Sequence, residues 1–141
     1  MKKAAVIYWS GTGNTEAMAN AVAEGMKGAG AEVSLLSADA VSPADLAGLD
    51  AVALGCPAMG SEVLEDMEFE PMFEGCKSAL KGKRVALCGS YGWGGGEWMQ
   101  NWERDCRSSG IQRACDSVIC NDAPDDAALA ACQALGKALV D

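Results

Sequence analysis

Short continuous apolar runs recur along the 141-residue chain, separated by stretches in which apolar residues return every three or four positions. This alternation is the feature that most restricts the fold. A continuous apolar run of strand length suits a strand buried on both faces, the condition of a parallel sheet. "KKAAVIYW", "AEVSLLS", "DAVALGC" and "RVALCGS" are four such runs, and "ACDSVIC" is a weaker fifth. Between them, Met18, Ala21, Val22, Gly25 and Met26 have helical spacing, as do Phe69, Met72, Phe73, Cys76 and Leu80. Pro71 falls in the first turn of the second of these helices, where its missing N–H costs nothing. Trp98, Trp102 and Cys106 mark a third helix. Ala128, Leu129, Cys132, Leu135, Gly136 and Leu139 mark a fourth. Only "SPADLAG", residues 42–48, is too short for a full helix. Strands alternating with helices predict an α/β fold with a five-stranded parallel sheet and helices on both faces, a three-layer sandwich formed by one domain over residues 1–141.

Composition narrows the chemistry. No apolar run approaches the roughly 20 residues that a membrane span needs, and "MKKAAVIYW" reads as a strand rather than a signal peptide. A cytoplasmic protein is the expectation. Seven cysteines occur with no C-x-x-C and no histidine, so zinc and disulfide frameworks are poorly supported. Cys56, Cys88, Cys120 and Cys132 lie in apolar runs and are expected to act as small buried hydrophobes. Without histidine there is no Ser-His-Asp or Cys-His pair. The net charge is −9, and no basic residue falls between Lys27 and Lys77, where ten carboxylates lie. Five of those crowd into Glu62–Glu70. Such a surface repels nucleic acid and membranes and attracts basic protein faces.

In parallel α/β sheets ligands sit beyond the carboxyl ends of the strands, which directs attention to the loops there. The first strand ends in "WSGTGNTE", residues 9–16. Its glycines and hydroxyls run straight into a helix, where free amides and the helix N-terminus suit a phosphate. Walker A requires a Gly-Lys pair that is absent, and the dinucleotide fingerprint requires glycine where Glu16 stands. The plainer reading is an ordinary turn with Asn14 or Thr15 as N-cap. The third strand ends in "GCPAMGSEV", where Pro57 stiffens the turn and Met59 offers a soft apolar surface. The fourth runs into "SYGWGGGEWMQNW", three tryptophans among four glycines. Trp98 and Trp102 have the spacing of core residues. Trp93 sits in the glycine run, where a ring either folds back on the core or covers a flat ligand.

"WSGTGNTE", "GCPAMGSE" and "GSYGWG", in that order, resemble the short-chain flavodoxins of anaerobic bacteria, and the likeness runs over essentially the whole chain. The resemblance implies the sheet order 2-1-3-4-5, a known property of that family rather than something the spacing shows. It also implies bound FMN and no catalysis by side chains. Ser10, Gly11, Thr12, Gly13, Asn14 and Thr15 would hold the 5′-phosphate. Pro57, Ala58, Met59, Gly60, Ser61 and Glu62 would form the second binding loop, with Met59 on the inner face of the ring. Gly60 would offer its carbonyl to the ring N5–H after reduction, and Glu62 would accept from N3–H. Trp93 would cover the outer face; Ser90, Tyr91, Gly92 and Gly94 would shape the ring loop, and Asn121, after the fifth strand, would reach the site. If Met59–Glu62 is a β-turn that flips on reduction, one form needs φ > 0 at Ser61 and the other at Gly60, which favours the second.

The implied function is a low-potential one-electron carrier. Each carboxylate near 10 Å opposes negative charge on the ring by roughly 0.5–1.5 kcal/mol before screening. The implied partners are redox enzymes with basic docking faces, electron donors and acceptors of the ferredoxin type, and the expected state is a monomer. An FMN-dependent reductase of small quinone-like or nitro substrates is the alternative. A low-molecular-weight phosphatase would need arginine where Glu62 stands, and a receiver domain would need aspartate where Gly55 and Cys56 stand.

Overall fold

The computed structural model describes residues 2–141. Five strands, β1 (Lys3–Tyr8), β2 (Glu32–Ser37), β3 (Ala51–Gly55), β4 (Arg84–Tyr91) and β5 (Val118–Asn121), form one parallel sheet in the order β2-β1-β3-β4-β5. Four helices cover it: α1 (Asn14–Gly28), α2 (Phe69–Leu80), α3 (Glu97–Ser108) and α4 (Asp126–Val140). The segment between β2 and β3 forms two short 3-10 helices, Ala38–Ala40 and Pro43–Leu46, instead of an α-helix. Ser42 and Asp45 cap the second reciprocally, and Leu46 is fully buried beneath it.

Side chains of a strand alternate between the two faces, and the two faces differ in size. Ile7, Val52, Leu54, Val85 and Leu87 pack with Phe69, Phe73, Trp98 and Trp102 on the α2/α3 side. Ala4, Ala51, Ala53 and Ala86 pack with Met18, Val22 and Leu135 on the α1/α4 side. Large rings therefore fill one layer, and small side chains let helices sit close in the other. There, a Cβ on Gly25 would lie 2.0 Å from the Gln133 carbonyl oxygen, and one on Gly136 would lie 2.1 Å from that of Val22. Glycine is what allows α1 and α4 to touch backbone to backbone.

The apolar stripes expected of all four helices face the sheet. Phe69, Met72, Phe73, Cys76 and Leu80 are all buried on α2, and Trp98 and Trp102 are 1% and 2% exposed on α3. Two boundaries differ from the sequence reading. Tyr91 belongs to β4 and Asn121 to β5, because the two residues pair across the ladder; the glycine loop therefore starts one residue later, and Asn121 ends the strand instead of following it. The fifth strand is shorter than "ACDSVIC" suggests. Just before this stretch the chain makes an isolated Val85–Arg113 bridge with β4, and Ala114 N donates to the Val85 carbonyl at 2.7 Å, but the regular ladder starts only at Val118.

Candidate functional site

Strand order reverses between β1 and β3, and an open cleft of about 240 Å³ lies at the carboxyl edge there. The loop after β1 contributes Gly11, Thr12 and Asn14; the loop after β3 contributes Pro57, Ala58 and Met59; and the end of β4 contributes Ser90, Tyr91 and Gly92. One end of the cleft is thus polar and glycine-rich, and the other is apolar.

The polar end is built by α1. Its N-cap is Gly13, in a left-handed conformation (φ 95°), with Asn14 as first helical residue. Neither Asn14 nor Thr15 caps the helix, contrary to the plainer reading, and among the described residues no side chain takes up the first-turn amides. Ser10 braces the loop from within, its Oγ accepting from Gly13 N at 3.0 Å. Thr15 is buried beneath the loop, its hydroxyl 3.5 Å from that of Ser90. Tyr8 OH donates to Glu16 at 3.1 Å and ties the first turn of α1 to the end of β1.

The apolar end depends on a small hairpin. Met59 and Val63 exchange both backbone hydrogen bonds, at 2.8 and 3.0 Å. Residues 60–62 form the loop, with φ 49° at Gly60 and 57° at Glu62. This corrects the expected four-residue turn: the left-handed non-glycine residue is Glu62, not Ser61. The hairpin holds Glu62 in that conformation, and its carboxylate Oε1 accepts from Glu97 N at 3.0 Å, at the start of α3. A helix N-terminus favours a negative group. The same carboxylate fills the space above Gly94, where a Cβ would lie 2.6 Å from Glu62 Cδ. Trp93 lies between Gly92 and Gly94, is 65% exposed and does not line the cleft. Asn121 turns its amide to the Tyr91 carbonyl at 3.2 Å.

Two cleft residues went unselected in the sequence. Trp9, the residue just before the glycine motif, forms part of the wall, and its Nε1 donates to Glu68 Oε1 at 3.0 Å. Asp122 lines the ring end with a left-handed backbone (φ 56°), and its amide donates to the Tyr91 carbonyl at 2.8 Å. An Asn-Asp pair at the end of a strand was the available signal, since both residues tolerate that conformation.

The acidic segment is not one uniform surface. Glu65 is only 5% exposed. Its carboxylate accepts from the amides of Met67, Glu68 and Phe69 at 2.8, 2.8 and 2.7 Å. Burial alone would raise its pKa, but the amides of Phe69, Glu68 and Met67 outweigh burial and hold it below the usual carboxylate range. Glu65 N in turn donates to Cys56 Sγ at 3.4 Å. Burial pushes the Cys56 and Cys132 thiols up to about 12, so neither is a nucleophile at neutral pH. Cys88 is buried as well, whereas Cys120 on the edge strand is only half-buried.

The donor set suits a phosphorylated flat ring. The uncapped α1 start offers free amides to a dianion without any lysine, and Pro57, Ala58, Met59 and Tyr91 form an apolar slot beside them. Fold and cleft together define a doubly wound α/β protein with a nucleotide site at its switch point. The sequence profile of the family described as flavodoxin matches residues 6–135, and the chain belongs to that family. The chain is 47% identical over 133 residues to the flavodoxin of Megasphaera elsdenii, covering 94% of this chain and 95% of that one. It is 43% identical over 122 residues to the flavodoxin of Clostridium beijerinckii, covering 86% and 88%. The solution structure of two-electron reduced Megasphaera elsdenii flavodoxin superposes with a TM-score of 0.89 at 46% identity, over 97% of this chain and 98% of that one. The protein is accordingly an FMN-binding electron-transfer protein and not an enzyme with a substrate turnover of its own.

Proposed function

We propose that the cleft holds FMN with its phosphate on residues 10–15 and its ring between the Met59 hairpin and the Trp93 loop. The observation that carries this reading is the uncapped α1 N-terminus beside an apolar slot in a single cleft. Bound FMN supplies electron storage on its ring. Gly11, Thr12 and Asn14 line the phosphate end, where amides and hydroxyls donate. Pro57, Ala58 and Met59 exclude water from one ring face. Trp93 swings onto the other face, which explains a large apolar side chain left exposed in a glycine loop. Glu62 keeps Oε1 on Glu97 N while Oε2 accepts the ring N3–H. Ser90, Tyr91, Gly92 and Gly94 leave room for the ring, and Asn121 supports the loop through the Tyr91 carbonyl. Gly60, with φ already positive, offers its carbonyl to a reduced ring, and Ser61 completes the hairpin.

The chain acts as a monomeric, single-domain carrier in the cytoplasm, docking on basic faces of redox enzymes. Val63, Met67 and Trp93 are exposed apolar residues close in sequence to cleft residues, and Asp66, Glu68 and Glu70 lie among them. Among the described residues no helix is long and apolar enough to cross a membrane. A cleft of about 240 Å³ falls below the roughly 300–1,000 Å³ of typical ligand pockets. The test is titration of apoprotein with FMN and with riboflavin, which lacks the phosphate. FMN binding at least tenfold tighter than riboflavin supports the phosphate loop, by the roughly 1.4 kcal/mol per tenfold of affinity arithmetic. Equal affinities refute it.

A further inference from the structure

The indole of Trp9 connects two parts of the site that are far apart in sequence. On one side its six-membered ring lies under the phosphate loop, so close that a Cβ on Gly11 would stand 3.1 Å from Cη2 and 3.4 Å from Cζ3. On the other side Nε1 donates to Glu68 Oε1 at 3.0 Å. Glu68 is itself held, because its amide donates to the buried Glu65 carboxylate at 2.8 Å and its carbonyl accepts from Met72 N at 3.3 Å. A continuous chain of contacts therefore runs from α2 through Glu68 and Trp9 to Gly11.

We propose that Glu68 is a positioning residue for the cofactor: through Trp9 it sets the height of the Gly11–Thr12 segment, so that a surface carboxylate strengthens the binding of an anion. The proposal rests on the reading of residues 10–15 as the phosphate loop. It also makes the acidic segment and the cleft one mechanical unit, in which FMN binding and the order of residues 65–69 favour each other reciprocally.

The sign of the effect separates this role from a surface charge. A charge alone repels the phosphate, so that Glu68→Gln and Glu68→Ala would tighten FMN binding equally. A positioning acceptor is kept by Gln, whose side-chain oxygen still accepts from Trp9, and lost by Ala. Isothermal or fluorescence titration of the full-length apoproteins with FMN and riboflavin reads the difference. Glu68→Gln should bind FMN at least as well as wild type. Glu68→Ala and Trp9→Phe should each bind it about five- to tenfold more weakly, the size of one hydrogen bond to a charged group at a partly exposed site. The double variant Trp9→Phe/Glu68→Ala should be no weaker than the weaker single variant, since both remove the same bond. Riboflavin should be less affected than FMN. Equal FMN affinities for Glu68→Gln and Glu68→Ala, or additive losses in the double variant, overturn the proposal while the preference for FMN over riboflavin stands. A wild type that binds both ligands equally overturns the phosphate-loop reading and the proposal with it.

Discussion

Glu65 is the carboxylate of the acidic segment whose removal should cost the fold most. Its two oxygens accept three backbone amides, Oε2 from Met67 and Oε1 from Glu68 and Phe69. In Glu65→Gln one oxygen remains. Turned toward Glu68 and Phe69, it keeps two neutral hydrogen bonds and sets its NH₂ against the Met67 amide. Bonds to a charged acceptor contribute about 1.5–3 kcal/mol each and neutral ones about 0.5–1.5. Losing the charge on two bonds and the whole of a third comes to about 3.5–6 kcal/mol; a neutral amide is cheaper to bury than a carboxylate and offsets part of this, so the protein should be destabilised by about 2–4 kcal/mol. Urea unfolding of the apoprotein at neutral pH should show this as a lower midpoint at unchanged slope. The pH dependence has a fixed sign. The native carboxyl titrates below its unfolded counterpart, so its contribution is present above the unfolded value of about 4.3 and is lost as the pH falls through the native one. The gap between wild type and Glu65→Gln should be constant above about pH 5.5 and close in acid, where Glu65 is protonated and resembles glutamine. A difference below about 0.5 kcal/mol at pH 7, the size of an ordinary surface substitution, would refute the cap, as would a gap that widens in acid.

Trp93→Ala should weaken FMN binding by about 1–3 kcal/mol through lost ring contact and release flavin fluorescence on dilution. Unchanged affinity would remove Trp93 from the site. Asp66→Asn with Glu70→Gln, both outward-facing, should slow electron transfer to a basic partner at low salt and lose that effect near 1 M, where the Debye length is about 3 Å; a rate that ignores ionic strength would leave these charges no part in docking. Gly25→Ala should destabilise by at least about 1–3 kcal/mol, because the added methyl meets the Gln133 carbonyl. Gly75→Ala, with nothing within 4 Å, should stabilise α2 by about 0.5–1 kcal/mol, and thermal unfolding of the pair checks both signs. Ser61→Gly should not relieve backbone strain, since the left-handed residue is Glu62, and its redox titration should overlay that of wild type.

The secondary structure was readable from the sequence alone because burial leaves a periodic record. The stripes of α1 to α4 and the apolar runs of β1, β3 and β4 depend only on which local positions face the sheet. The glycine-rich turns were readable for the same reason, since a left-handed or close-packed backbone demands small residues within a few positions. Where the strands end was decided by pairing. Tyr91 and Asn121 are strand residues only because each lies opposite the other. The roles of the carboxylates were decided by tertiary contacts as well. In sequence, Glu62, Glu65, Glu68 and Glu70 form one acidic run. In the fold, Glu62 reaches α3 35 positions away, Glu65 turns inward onto three amides, Glu68 meets Trp9 59 positions away, and Glu70 points to water. A side chain's chemistry is local, but its partners are set by how the chain returns past it, and composition carries no record of that path.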